Sequence, residues 1–107
     1  MFTFKLQQAI TLTNGKEIDE LNLDYLQLTL GDLKTANRIA NMIDDSTVGS
    51  IDNGTLSPRL NPSLRTAIAW VAAIKGTPGL RVDDVLKLSM VDALLLSEDA
   101  LGNYLFK

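Results

Sequence analysis

Apolar side chains fall on the even positions of the first twelve residues, at Phe2, Phe4, Leu6, Ile10 and Leu12, while the odd ones read Thr, Lys, Gln, Ala and Thr. A period of two puts the apolar set on one face of a half-buried strand. Asn14-Gly15 follows, a pair that tolerates positive φ at both positions, and it predicts a tight type I′ turn with a returning strand. The hairpin is expected over about 2–12 and 16–25. Within the return, Ile18 and the set Leu21, Leu23 and Tyr25 differ in parity. Either one extra residue is bulged out near Glu20, or Ile18 belongs to the turn side and pairing begins after it.

From Leu33 the spacing turns helical, with Leu33, Ala36, Ala40 and Ile43 predicting a helix over about 30–44. Thr29 and Asp32 stand ahead of it in the capping-box relation. The hydroxyl accepts from a free backbone N–H and the carboxylate faces the positive end of the helix, an arrangement that stabilises by about 1 kcal/mol. A second helix over about 62–75 has Asn61 as its cap and Pro62 at its first position. Gly76 is expected in the left-handed conformation just past its end, with Pro78 blocking continuation. Because "AIAWVAAI" is apolar nearly all round, this helix belongs at the centre of the core.

A short helix is expected over about 82–87, led by Asp83 and Asp84, and a fourth over about 90–104. Ser89 and Asp92 repeat the capping spacing there, Leu94, Leu95, Leu101 and Leu105 recur at helical intervals, and Gly102 weakens the last turn. Residues 45–61 are rich in Gly, Ser, Asn, Asp and Pro without periodicity. Connections longer than about 12–15 residues are usually functional or mobile, and Val48, Ile51, Leu56 and Leu60 are isolated apolar residues within this one. The expectation is one α+β domain, 1–107, in which an N-terminal hairpin packs on about four α-helices.

A hydrophobic fraction of 46% against 21% charged residues is that of a chain that folds. The net charge of −3, with Lys and Arg scattered, offers no field for a polyanion, so nucleic acid is not expected as a ligand. The longest apolar run, Ala67 to Ile74, is far short of the roughly 20 residues that cross a bilayer. The N-terminus lacks the charged, apolar and cleavage regions of a signal peptide, which predicts a cytoplasmic protein without membrane attachment.

Zero Cys and zero His remove thiol chemistry, disulfides, the commonest general base and the commonest zinc ligand. The acidic pairs Asp19/Glu20, Asp44/Asp45, Asp83/Asp84 and Glu98/Asp99 are adjacent in sequence. Their members diverge on any helix or strand instead of converging on a substrate. "DDSTVGSIDNG" spaces Asp44 and Gly49 like a calcium loop but places Val48 and Thr55 where ligands are needed. No S-x-x-K spacing, phosphate-loop, dinucleotide or nucleophile-elbow motif occurs. Asp32 is explained by its helix start. The chain is expected to be non-enzymatic, with no cofactor and no metal.

In their order, these elements resemble a known family. The stretch "ITLTNGKEIDELNLDYLQLTLGDLKTA" is similar to the opening of tail assembly chaperones of long-tailed bacteriophages and prophages, in particular the Mu-like group. There an I-x-L strand, a Gly turn, an E-L-x-L strand and a T-x-G-D-L helix start follow one another. The matching residues are Ile10, Leu12, Gly15, Glu20, Leu21, Leu23, Thr29, Gly31, Asp32 and Leu33. An Ala-rich helix, a Gly turn, "VDDVLKLS" and "DALLL" continue the likeness over nearly all the chain except 45–61.

The resemblance implies a protein of the host cytoplasm, absent from the mature virion. Its partners would be the tape measure protein, which it keeps soluble, and the tail-tube protein, whose subunits it helps recruit. An acidic adaptor or inhibitor and a small structural virion protein are the alternatives. The expected binding surface joins the exposed face of the hairpin to the terminal helix at Leu101, Tyr104 and Phe106, with Ile51 and Leu56 in the loop. Phe2, Phe4, Tyr104 and Phe106 either form a patch where the termini meet or close the core. Trp70 is either an interface anchor or core. Surplus apolar surface also predicts homo-oligomers.

Overall fold

The period-two segments form strands β1 (Phe2–Thr11) and β2 (Glu17–Leu23), paired as an antiparallel hairpin. The computed structural model describes residues 2–45 and 62–105. Helices α1 (Leu30–Asp45), α2 (Pro62–Gly76) and α3 (Met90–Ala100) follow, so the class is α+β, a hairpin followed by helices. Tyr25, expected in the return strand, instead opens a short 3-10 turn over Tyr25–Gln27. The segment Val82–Lys87 is also a 3-10 helix and not the expected α-helix. Its closing bonds run from the Asp84 amide to the Arg81 carbonyl and from the Leu88 amide to the Val85 carbonyl. The fourth helix is α-helical only to Ala100 and widens into a π turn over Leu101–Leu105, where Gly102 has the least helical preference.

The irregularity in the hairpin is real but sits on the other strand. Glu20 pairs regularly with Lys5, and the shift falls between Lys5 and Ile10. Residues 6–9 of β1 face only Asp19 of β2, three more residues than a regular ladder would place there. An odd surplus on β1 carries the parity change that β2 displays, so Ile18 can still pair with Ile10 and Leu21 with Phe4. The expected bulge near Glu20 is thereby corrected.

The turn also differs from expectation. Asn14 does not have positive φ; only Gly15 does, at 89°. The Gly15 amide donates to the Leu12 carbonyl and the Leu12 amide to the Lys16 carbonyl, which makes a three-residue loop closed by a left-handed glycine. Asn14 Oδ1 accepts from the Lys16 amide at 2.9 Å and holds the loop from within.

α2 is the centre of the core. Leu64, Ala67, Ile68, Ala69, Val71, Ala72 and Ala73 are buried, and Trp70 has no exposed surface. Its indole Nε1 donates to the Arg81 carbonyl at 3.1 Å, so Trp70 is core and not an interface anchor. Alanines let the neighbours approach closely: the Asp24 amide reaches the Ala72 carbonyl at 3.1 Å. Gly76 does not take the left-handed conformation expected of it. It remains helical, and a Cβ there would run into the carbonyl of Asn22, while the positive φ falls on Gly79. Thr77 then accepts from the Asn22 amide at 2.9 Å and occupies part of the β2 edge. Leu6, Ile10, Leu12, Leu21 and Leu23 from the hairpin and Ala36, Ile39 and Ala40 from α1 complete the same core.

Candidate functional site

Among the described residues, three carboxylates, Asp32, Asp84 and Asp92, bond to backbone and side-chain groups that hold the fold. Asp32 does what a capping box requires: its Oδ2 accepts from the Thr29 amide at 2.8 Å, and Thr29 Oγ1 accepts from the Asp32 amide at 3.3 Å. Lys75, in the last turn of α2, lies 3.0 Å from the same carboxylate. Partial burial pushes the Asp32 pKa up, but the bonds from Lys75 and Thr29 outweigh it and hold the carboxyl below its usual value.

Asp84 and Asp92 are fully buried. Asp84 accepts from the Thr13 amide, the Thr13 hydroxyl and the Arg81 amide at 3.2, 2.8 and 3.1 Å, with Lys87 Nζ at 3.1 Å. Burial acts to raise its pKa, and the donors from Thr13, Lys87 and Arg81 bring it below the ordinary value. The same ammonium of Lys87 donates to the Thr11 carbonyl at 2.8 Å, so the 3-10 helix grips the hairpin turn.

Asp92 departs from the expected box. Ser89 Oγ accepts from its amide as a cap, but its carboxylate reaches β1, where Oδ1 and Oδ2 accept from Gln7 and Gln8 at 2.8 and 3.1 Å. Those amides lie within the bulged stretch and need another acceptor. Among the described residues no group of three or more acidic side chains is gathered to hold a metal.

What the surface does offer is apolar. A groove of about 390 Å³ opens beside the start of α1. It is lined by Leu28, Leu30, Leu33 and Ala36, by Ile68 and Val71 of α2, and by Tyr104. Thr29 and Asp32 supply its polar edge. Leu30 is 79% exposed although it is the first residue of a helix, and the neighbouring Leu26 is more exposed still. Tyr104 is held by stacking on Tyr25, centroids 5.2 Å apart at 15°, and Phe2 meets Tyr25 edge-on from elsewhere. Tyr25 is itself fixed by a 2.8 Å hydrogen bond from its hydroxyl to Asp99. Burial, together with that carboxylate, raises its pKa well above the ordinary value.

A second apolar surface is the outer face of α3. Leu96, Ser97 and Ala100 are buried, and Arg65 Nε and Thr66 Oγ1 of α2 bond Ser97 Oγ at 2.9 Å and the Ala93 carbonyl at 3.1 Å. That docking turns Met90, Val91, Leu94 and Leu95 outward, and all four are exposed, Met90 to 79%. At i, i+1, i+4 and i+5 they form one continuous ridge.

Of the expected binding residues, Tyr104 is at the groove and Leu101 is half-buried in the π turn. Ile51, Leu56, Phe106 and the cap Asn61 lie outside the described residues, as does the loop beyond Asp45. The hairpin brings mainly polar side chains to the surface, and Phe2 and Phe4 are half-buried against the core. Sequence reasoning missed the groove because Leu33 is read there only as part of a helix face, and Leu28 and Leu30, between the hairpin and that face, carry no periodicity of their own. Their one signal is the density of leucines in "LQLTLGDL". Comparison of the chain with protein-family models, curated proteins and solved structures finds no match. Among the described residues no helix is long and apolar enough to cross a membrane.

Proposed function

We propose that this chain is a non-enzymatic client-binding protein of the phage tail assembly chaperone type. It holds an amphipathic helix of the tape measure protein in the groove between α1, α2 and Tyr104, and it recruits tail-tube subunits to that client. The observation that carries the reading is the groove with its exposed leucine rim, because a solvent-facing apolar concavity between helices is the form that helix-in-groove recognition takes. The order of motifs around Gly31 and Asp32 supports the choice of client. The protein acts in the host cytoplasm and leaves before the virion matures.

A tagged pull-down during tail assembly, followed by mass spectrometry, tests it. Recovery of the tape measure protein with tail-tube subunits, lost on Leu30→Asp substitution at the groove rim, is the expected result. A single folded partner unrelated to tails would establish an adaptor instead. Finding the chain in purified mature particles would make it a structural component.

A further inference from the structure

We infer that Tyr25 and Asp99, neither of which lines the groove, are positioning residues for it: the bond from the Tyr25 hydroxyl to the Asp99 carboxylate fixes the ring on which the groove-lining Tyr104 stacks. Two residues of the groove answer to Tyr25. Tyr104 lies against its ring, with centroids 5.2 Å apart and planes at 15°. The amide of Leu28 donates to its carbonyl at 3.4 Å. The backbone just ahead of Tyr25 is anchored on α2, where the Asp24 amide reaches the Ala72 carbonyl, and the edge of the ring is met by Phe2 at 70°. Asp99, at 2.8 Å, holds the hydroxyl end. Buried beside a carboxylate, the phenol stays protonated and therefore remains the donor.

Tyr104, by contrast, is 39% exposed and stands in the π turn, beyond the body of α3, so its place depends on what it stacks against. Asp99 and Tyr104 are five positions apart in the chain. On a regular α-helix such residues point about 140° away from each other. The wider turn over Leu101–Leu105 reduces that divergence, so that one segment supplies both the acceptor for the hydroxyl and a ring for the face of Tyr25. The placing of Tyr104 concerns the chain alone, and its consequence for binding rests on the client reading above.

Aromatic and methyl NMR of the free protein is the first test, on the wild type, Tyr25→Phe, Asp99→Ala and Asp99→Asn. Tyr25→Phe keeps the ring and removes only the hydroxyl. In it and in Asp99→Ala the Tyr104 ring resonances should move towards those of an unstructured tyrosine. The methyls of Leu33 and Val71, which line the same groove, should shift with them, while those of Ile10 and Leu12 near the hairpin turn stay in place. Asp99→Asn keeps an oxygen that accepts from the hydroxyl and should restore the wild-type pattern. Binding of the tape measure protein should weaken about threefold or more in Tyr25→Phe, as expected for residues that share one network, and should weaken no further in a Tyr104→Ala background.

Tyr104 resonances that do not move in Tyr25→Phe overturn the inference. Binding losses of Tyr25→Phe and Tyr104→Ala that simply add also overturn it, because the hydroxyl would then act on stability and not through Tyr104. Should Asp99→Ala lose its helical circular dichroism, Tyr25→Phe decides alone. Displaced Tyr104 resonances with no tape measure protein recovered remove only the client, and a recovered client with Tyr104 unmoved removes only the positioning.

Discussion

α2 and α3 are both rich in apolar residues, yet one is buried nearly all round and the other leaves a ridge of four large apolar side chains in solvent. The difference lies in their neighbours. α2 has the hairpin, α1 and α3 packed around it, and its alanines allow each to come close. Beyond its contact with α2, α3 reaches β1 through Asp92 and Tyr25 through Asp99, and its outer side stays exposed at Met90, Val91, Leu94 and Leu95. Apolar content therefore does not say whether a helix is core or interface. The number of elements that reach it does.

The comparison predicts unequal responses to substitution. Trp70→Ala at the centre of α2 should cost about 3–5 kcal/mol, since it removes a fully buried ring and leaves the Arg81 carbonyl without its donor. Urea unfolding reads this directly, and a loss below about 1 kcal/mol would mean that α2 is not the centre of the core. Asp92→Ala should follow. Each of the Gln7 and Gln8 amides left without an acceptor costs about 1–3 kcal/mol, and their hydrogen exchange should accelerate ahead of the rest of β1.

Gly76→Ala sharpens the contrast between local and tertiary preference. Helix propensity alone predicts a gain, but the new methyl meets the Asn22 carbonyl, so a loss of about 1–3 kcal/mol is expected instead.

Acid should act through Asp84. Its pKa in the fold lies below the ordinary 3.8, so its contribution is complete above the unfolded value and is lost as pH falls through the folded one. Urea midpoints of wild type and Asp84→Asn should therefore differ at about pH 6, and the gap should narrow as pH falls below the ordinary carboxylate value; a gap that does not narrow would remove the carboxylate from that role. The smallest effect belongs to the ridge: Leu94→Glu should change stability by no more than about 0.5 kcal/mol, and a larger loss would show that the ridge is covered within the chain.

Much of the fold was legible because its signals are local. The period of two in β1, the box formed by Thr29 and Asp32, Pro62 at the first position of α2 and Ser89 ahead of α3 each involve atoms only a few residues apart. The candidate site was less so. Tyr104 could be named from the sequence, but the residues that line the groove with it, Ile68, Val71 and Leu33, come from helices that meet only in the fold.

The amino-acid order by itself determined the hairpin, the beginnings of the helices, the exclusion of thiol and imidazole chemistry and the central place of "AIAWVAAI". Tertiary structure alone decided which strand carries the surplus residues, because the acceptor for the Gln7 amide lies 85 positions away at Asp92. It also decided that Gly76 serves close approach and not a turn, since the obstructing carbonyl belongs to β2. Last, it decided which apolar faces are left for partners. A helix sequence records how apolar each face is, and only the packing of other elements against it determines which of those faces water still reaches.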